Sequence, residues 1–172
     1  NINKKKYNFS HYIKNRWENI YINPNHIPSI LPILKKIIYK ANKVYQTNLI
    51  IPHELLGFNK NEFWFNLMSK GDSTGLHNHN SNSMTSGVLY LQTPENTSNL
   101  FFKDGNNQLE IKVKNKQLVL FPSKLYHFVP KNNSNNQRIS LSFNLYKFPL
   151  SSKTVYRDNL NQCKVCFNNY NK

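Results

Sequence analysis

Two kinds of hydrophobic spacing divide the chain. Between Ile27 and Tyr45 the apolar residues recur at steps of three and four, which is the spacing of an amphipathic helix that buries one face. Ser29 stands where a capping residue would, and the prolines beside it are tolerated near a helix start. From residue 63 onward, short apolar runs alternate with turn residues, a spacing typical of β-strands. We therefore predict one helix packed against a β-sheet.

The second half of the chain is a succession of short predicted strands, with turn residues at 104–107 and 114–116 between some of them. Many short strands at this pitch favour an antiparallel β-sandwich or a double-sheet jelly roll. The expected fold class is therefore mainly β, with the N-terminal helix packed outside. The predicted strands are 63–68, 85–92, 100–103, 109–113, 117–121 and 137–145.

The length and apolar content fit one folded domain. At 172 residues, with 38% hydrophobic and 13% aromatic residues, the chain can bury a core without disulfides. We expect an extension at 1–25, a domain with its helix at 26–150 and a polar tail at 151–172. The tail holds Cys163 and Cys166, which could be half of a zinc site, a redox pair or two ordinary thiols. The last interpretation is favoured because no second pair occurs.

The chain is strongly basic, with a formal net charge of +15. This favours an anionic primary substrate or a nucleic acid, but the recurrence of Asn, Lys and Ile throughout the chain explains the charge equally well. Specific nucleic-acid binding is the less favoured of these interpretations. No apolar run approaches the ~20 residues that span a bilayer, and the lysines at 4–6 precede no apolar leader segment. We expect a soluble, cytoplasmic protein without a membrane partner.

Three histidines have a spacing that suits a metal ion. His77 and His79 are two residues apart, so in extended backbone both imidazoles face the same side. His127 follows the strand predicted at 117–121, and the three rings converge if the neighbouring strand ends meet. Neutral imidazole suits iron, copper, nickel and zinc, so we predict a mononuclear metal site. The other histidines are in the N-terminal third and have no partner at this spacing.

Arg138 is the second candidate for chemistry. In the strand predicted at 137–145, Arg138 shares a face with Ser140 and Ser142, opposite two apolar residues. If that face lines the interior, the guanidinium needs an anion, and a carboxylate held by its fork beside a hydroxyl would satisfy it. A small dicarboxylate could then bridge Arg138 and the metal. The alternative is a surface arginine on an edge strand.

Together these motifs resemble the iron(II)- and 2-oxoglutarate-dependent oxygenases, and more narrowly a branch with many phage and marine bacterial members. The resemblance covers roughly half of the chain, and its motifs are specific only jointly. It is carried by Trp64-Phe65-Asn66, Gly71, His77-Asn78-His79, Ser86-Gly87 with Tyr90, Phe121-Pro122-Ser123 with His127, and Arg138 to Asn144.

The resemblance implies a double-stranded β-helix in which His77, His79 and His127 hold Fe(II). It further implies that Arg138, with Ser140 and Tyr90, binds the distal carboxylate of 2-oxoglutarate, and that the enzyme is a dioxygenase, by default a hydroxylase. The chain departs from the wider superfamily at His79, where an Asp or Glu ligand is usual. Asp72 and Asp104 are the other available carboxylates, but neither has the required spacing.

Other functions stay open. A three-histidine cupin-type metal enzyme that uses no 2-oxoglutarate is the main alternative, and a non-catalytic basic binding protein is the third. The primary substrate is not indicated by any motif. By adjacency, Asn66, Phe102 and Tyr126, with Phe101, are expected to border its pocket.

Overall fold

The computed structural model describes residues 7–13, 16–79 and 83–150. This part of the chain forms eleven strands, one α-helix, and short 3₁₀ helices at Pro24–His26 and Glu54–Leu56. The helix α1 is Ile30–Tyr45, and the strands are β1 Tyr7–Ile13, β2 Arg16–Ile22, β3 Leu49–Ile50, β4 Phe63–Met68, β5 Thr74–His77, β6 Thr85–Gln92, β7 Leu100–Asp104, β8 Asn107–Ile111, β9 Leu118–Pro122, β10 Tyr126–Val129 and β11 Arg138–Lys147.

The strands form two antiparallel sheets. The major sheet has the order β1-β2-β4-β11-β6-β9, with β3 paired to the end of β11, and the minor sheet has the order β5-β10-β7-β8. From β4 onward the chain crosses repeatedly between the sheets, since β4, β6, β9 and β11 lie in one and β5, β7, β8 and β10 in the other. Eight strands wound in this way form a jelly roll, or double-stranded β-helix. The predicted fold class is confirmed.

The helix covers the outer face of the major sheet, as its spacing predicts. One face of β11, with Leu141, Phe143 and Leu145, is fully buried in the cluster that contains the apolar side of α1. Because side chains alternate along a strand, the other face of β11 points into the space between the sheets. That space holds a second apolar cluster, with Met68 and Tyr90 from the major sheet among its members.

The predicted elements differ from the structure mainly at their ends. The helix begins at Ile30, and Ser29 occupies the N-cap position without a side-chain capping hydrogen bond. The strand expected at 109–113 lies at Asn107–Ile111, because Gly105 adopts a positive φ and closes a tighter turn before it. Five strands were not predicted: β1 and β2 in the expected extension, the two-residue β3, and β5 and β10, which have four residues each and no clear alternation.

Gly87 lies where β6 passes between β9 and β11. A methyl group on its Cα would lie 2.5 Å from Phe143 Cζ and 2.9 Å from Leu120 Cδ2. Both distances are shorter than carbon atoms tolerate, so the close approach of these side chains requires a glycine.

The N-terminal strands continue the major sheet, because β2 pairs with β4 at Ile20 and Phe65. The division of the chain at residues 25 and 150 stays a prediction. The tail with Cys163 and Cys166 lies outside the described residues. Within the described part, no helix has the length and apolar character needed to cross a membrane.

Candidate metal centre

Three imidazoles meet beside the minor sheet. His77 ends β5 and lies directly opposite His127 of β10 in the antiparallel pairing. The ring centres of this pair are 4.2 Å apart, and the His79 ring centre lies 5.3 Å from that of His77 and 5.2 Å from that of His127. One ring nitrogen from each residue can be chosen so that all lie within 4.8 Å of one another. The structure therefore brings together the three histidines that the spacing selects.

Hydrogen bonds to the backbone fix the orientation of two of these rings. His77 Nδ1 lies 2.8 Å from the Gly75 carbonyl oxygen, and His127 Nδ1 lies 3.0 Å from the Leu125 carbonyl oxygen. A carbonyl oxygen can only accept, so each Nδ1 carries a proton and donates it. Each Nε2 then keeps its lone pair, which is the tautomer that metal-binding histidines commonly adopt.

The electrostatics of the cluster favour neutral imidazoles. Burial lowers the pKa of His79 to about 4, and the nearby His77 acts in the same direction. Burial also lowers the pKa of His127 to about 3, helped by His77 and opposed by the hydrogen bond to Leu125. At neutral pH both rings are therefore uncharged, and a metal ion does not have to displace their protons.

Apolar side chains surround the rings. The Phe121 and Phe102 ring centres lie 4.8 Å and 6.2 Å from that of His127, and the Trp64 ring centre lies 5.8 Å from that of His79. Phe102 and Phe121 are buried in the cluster between the sheets. These walls limit the access of water to one side of the histidine cluster.

Within the described residues, no carboxylate joins the three nitrogens. Asp72 Oδ2 accepts the backbone N–H of Ser69 at 2.8 Å, and Asp104 lies at the exposed end of β7. The two alternative ligands considered from the sequence therefore lie outside the cluster. The donor set is three neutral imidazoles, which suits the divalent transition metals but not Mg²⁺ or Ca²⁺.

Arg138 is a buried cation at the start of β11, with 2% of its surface exposed. Its Nη1 lies 3.3 Å from Met68 Sδ, and its Cζ lies 5.0 Å from the Tyr90 ring centre. Its Nε has no hydrogen-bond partner in the described part of the chain. Burial lowers the pKa of Arg138, and the nearby Tyr90 opposes this shift. No carboxylate of the described residues contributes to the pKa of Arg138. The guanidinium nevertheless keeps its proton, as it does in proteins generally. Such a group is costly to bury unless a ligand supplies an anion.

Tyr90 and Ser140 lie directly opposite one another on β6 and β11. Both are buried, and the Tyr90 hydroxyl has no hydrogen-bond partner of good geometry among the described residues, although Arg138 is near enough for its charge to matter. Burial raises the pKa of Tyr90 to about 12, against the effect of Arg138. The hydroxyl is therefore protonated at neutral pH and available to donate to an anion.

Of the three residues expected around a substrate pocket, two face the space between the sheets and one does not. Phe102 is buried beside His127. Asn66 faces the same inner space, but its amide is engaged by the Glu18 carbonyl and by the Asn19 and Ser142 side chains. Tyr126 precedes His127 in β10 and is half exposed, so alternation places its side chain on the opposite face of the minor sheet.

A further contact had not been recognised from the sequence. The backbone N–H of His79 donates to the Ser123 carbonyl oxygen at 2.8 Å, and Asn78 Nδ2 donates to the Lys124 carbonyl oxygen at 3.3 Å. These bonds hold the His77–His79 segment against the turn that leads to His127. The Phe-Pro-Ser motif signalled that Ser123 matters, but it gave no indication of this contact.

The fold and the site together define a double-stranded β-helix protein with a three-histidine cluster able to bind a metal. Residues 62–112 and 103–144 match the sequence model of the family described as "Putative 2OG-Fe(II) oxygenase". The match covers residues 62–144, somewhat under half of the chain, and confirms the resemblance to the 2OG-Fe(II) oxygenase superfamily over that stretch. The narrower phage and marine bacterial branch stays a prediction.

Solved structures with a similar arrangement include an oxidoreductase of the 2OG-Fe(II) oxygenase family from Burkholderia pseudomallei, at 14% identity and TM-score 0.48 over 54% of this chain and 46% of that one. A Pseudomonas putida prolyl-4-hydroxylase matches at 24% identity and TM-score 0.42 over 54% of each chain. A cupin domain from Bordetella pertussis matches at 18% identity and TM-score 0.37 over 48% of this chain and 78% of that one. The match spans about half the length of the first two proteins. A search of curated protein sequences finds no match.

Proposed function

We propose that the protein is an iron(II)- and 2-oxoglutarate-dependent dioxygenase that hydroxylates a substrate not yet known. One observation above all supports this proposal: Arg138 is buried without a carboxylate partner among the described residues. It contacts Met68, which belongs to the same inter-sheet cluster as the Phe121 ring beside His127. A three-histidine cluster alone suits several metal enzymes. A buried cation within reach of that cluster suits a metal enzyme whose co-substrate carries a second carboxylate.

In this proposal His77, His79 and His127 hold the metal on one side and leave the other side open. Iron(II) held by these residues would supply a binding site for a keto acid and the chemistry that activates dioxygen. Because all three ligands are neutral, they would leave both positive charges of the bound ion uncompensated. A dianionic co-substrate would neutralise that charge, which favours its binding at this site.

Arg138, Ser140 and Tyr90 would hold the distal carboxylate. The guanidinium offers a charge-assisted hydrogen bond through Nε, and the Tyr90 hydroxyl offers a second donor. The Trp64 ring lies beside His79, and Trp64 pairs with Ser142 on β11. Ser142 is four residues from Arg138, and four residues of a strand span about 13 Å. This length approximates the distance from the metal site to Arg138. An extended arginine side chain and a five-carbon dicarboxylate together can bridge such a separation. The surrounding Phe102, Phe121 and Trp64 would exclude water from one side of the reacting groups.

A three-histidine cupin-type enzyme that uses no 2-oxoglutarate is the second candidate, and it is favoured because no carboxylate from the described residues joins the cluster. It gives no role to the buried guanidinium. The two candidates therefore differ in what Arg138 does.

Anaerobic titration with iron(II) and then with 2-oxoglutarate tests the proposal. We expect iron to bind alone and 2-oxoglutarate to produce a weak visible charge-transfer band. An Arg138→Met protein should bind iron as the wild type does but 2-oxoglutarate at least about tenfold more weakly, since a hydrogen bond to a charged group contributes about 1.5–3 kcal/mol. Ser142→Ala, on the same face of β11, is the matched control and should leave both affinities unchanged.

Each other outcome has a meaning. Iron binding without any response to 2-oxoglutarate would support the cupin-type candidate. Equal 2-oxoglutarate affinity in the wild type and the Arg138→Met protein would overturn the role of Arg138. Failure of the wild type to bind iron would overturn the proposed metal site itself.

A further inference from the structure

A chain of five polar side chains runs from Glu62, just before β4, through Asn144 and Ser86 to Ser123 and Ser83. Asn144 Nδ2 lies 2.9 Å from Glu62 Oε2, and Asn144 Oδ1 lies 2.8 Å from Ser86 Oγ. Ser86 Oγ lies 3.0 Å from Ser123 Oγ, which lies 2.9 Å from Ser83 Oγ. Apart from Glu62, which is half-buried, these residues are buried, with Ser86 and Ser123 each 1% exposed.

The carboxylate at one end sets the direction of every bond in this chain. Glu62 as a carboxylate can only accept, so Asn144 must present its NH₂ group to Glu62 and its carbonyl oxygen to Ser86. Ser86 then donates to Asn144 and must accept from Ser123. Ser123 in turn must accept from Ser83. One orientation of four polar groups is therefore selected, and each hydroxyl hydrogen has a defined partner.

Ser123 is the point at which this chain meets both histidine-bearing segments. Its carbonyl oxygen accepts the N–H of His79, and its hydroxyl is bonded to Ser83, a few residues further along the same segment. Ser123 also lies within the turn closed by the Leu125 N–H and the Pro122 carbonyl oxygen, and the Leu125 carbonyl oxygen accepts from His127 Nδ1. Backbone and side chain of one serine thus tie His79 to the turn that orients His127.

We infer that Ser123, oriented through Ser86 by Asn144 and Glu62, is a positioning residue that sets the place of His79 relative to His127. The inference rests on the metal site of the proposed function. Buried hydrogen-bonded networks contribute little net stability compared with apolar residues of the same shape, but they specify one geometry. Removing a group that is hydrogen-bonded to a metal ligand, but does not itself contact the metal, typically weakens metal binding by about 10–100-fold.

The test compares metal affinity with stability. Cobalt(II) is titrated anaerobically into the wild type and the Ser123→Ala protein, and the visible d–d spectrum and the dissociation constant are recorded. We expect Ser123→Ala to weaken binding by about tenfold, the lower end of the range for groups that contact metal ligands directly, and to change the spectrum. The variant keeps the Ser123 carbonyl that accepts from His79 but loses the hydroxyl bonds to Ser86 and Ser83 that hold this carbonyl in place. Thermal unfolding without metal shows how much of the change is stability alone. Ser142→Ala, which loses the hydroxyl bonded to Asn66, is the matched control and should keep the wild-type affinity and spectrum.

Ser83→Ala is the milder variant, since it removes the Ser83–Ser123 bond and leaves the Ser86–Ser123 and Ser86–Asn144 bonds in place. It should also weaken cobalt(II) binding, by less than Ser123→Ala does. Wild-type dissociation constants and spectra in both serine variants would overturn the inference while leaving the metal site intact. No cobalt(II) binding by the wild type would instead overturn the proposed function, so the two failures are distinct.

Discussion

His77 and His127 face one another across two antiparallel strands, with their ring centres 4.2 Å apart and with both Nδ1 atoms bonded to backbone carbonyls. The pairing of β5 with β10 therefore sets the distance between the two rings, whereas His79 is held from outside the sheet. We expect His127→Ala to weaken cobalt(II) binding by more than about 100-fold. This exceeds the effect of removing a group that only hydrogen-bonds to a metal ligand. Isothermal titration measures this change. His26→Ala, at an exposed position, should bind as the wild type does, and equal affinities in the two variants would contradict the assignment.

The identity of the third ligand sets the metal preference. His79→Asp replaces a neutral imidazole by a carboxylate, and carboxylates suit Mn²⁺ better than imidazoles do. We expect the ratio of Mn²⁺ to Cu²⁺ affinity to rise in this variant, as measured by competition titration. His79→Asn supplies an oxygen donor without the charge and separates the two effects. An unchanged ratio in His79→Asp would show that position 79 is not a ligand.

The Tyr90 hydroxyl lacks a hydrogen-bond partner in the described structure, although it is buried beside Arg138. If it donates to the distal carboxylate of 2-oxoglutarate, Tyr90→Phe should weaken 2-oxoglutarate binding by roughly three- to tenfold, as expected for loss of about 1 kcal/mol. Iron affinity should not change. The variant protein should melt close to the wild-type temperature, because the hydroxyl has no hydrogen bond of good geometry to lose among the described residues. An unchanged KM for 2-oxoglutarate would exclude Tyr90 from the co-substrate site.

Gly87 has no room for a side chain between Phe143 and Leu120. We expect Gly87→Ala to lower the free energy of unfolding by about 1–3 kcal/mol, the usual effect of overpacking a core. Denaturant unfolding measures this loss. Gly75→Ala is the control, because a methyl group there meets nothing within 4 Å. Equal stability of the two variants would mean that the sheet and the helix shift easily at this point.

Burial lowers the pKa of His53 to about 4, below the value of about 6.5 expected in the unfolded chain. Between these values the unfolded state binds more protons than the folded state, so the free energy of unfolding rises with pH from about 4 to about 6.5 and then levels off. His79 and His127 act in the same direction. Urea unfolding of metal-free protein across this range should show the rise. A His53→Gln protein should show a shallower one, and identical slopes would contradict the contribution of His53.

The sequence predicted the parts of the molecule whose spacing is regular. The alternation at 138–145 separated Arg138 and Ser140 from the apolar face of β11, and the helix spacing located α1 within three residues. The strands that carry His77 and His127 were missed, because four residues are too few to show a period. The convergence of the histidines was nevertheless predicted, since it depends on the order of strands more than on their ends.

Polar contacts inside the sheet were beyond prediction for a different reason. The chain is rich in Ser and Asn, so single residues of these types carry no signal. Nothing in the sequence spacing shows that the side chains of Ser86, Ser123 and Asn144 form hydrogen bonds with one another. Tyr126 was assigned to the pocket because it precedes His127. In a strand, that same adjacency places the two side chains on opposite faces.

The two halves of the proposed site belong to different layers. His77 and His127 are carried by the minor sheet, whereas Arg138 is carried by the major sheet. A dicarboxylate bound at both ends would therefore link the two sheets. Release of the succinate product would then require the two sheets to separate locally, and this motion would limit the rate of product release. Exchange of the backbone amide hydrogens of β10 and β11 should therefore slow together when the dicarboxylate is bound.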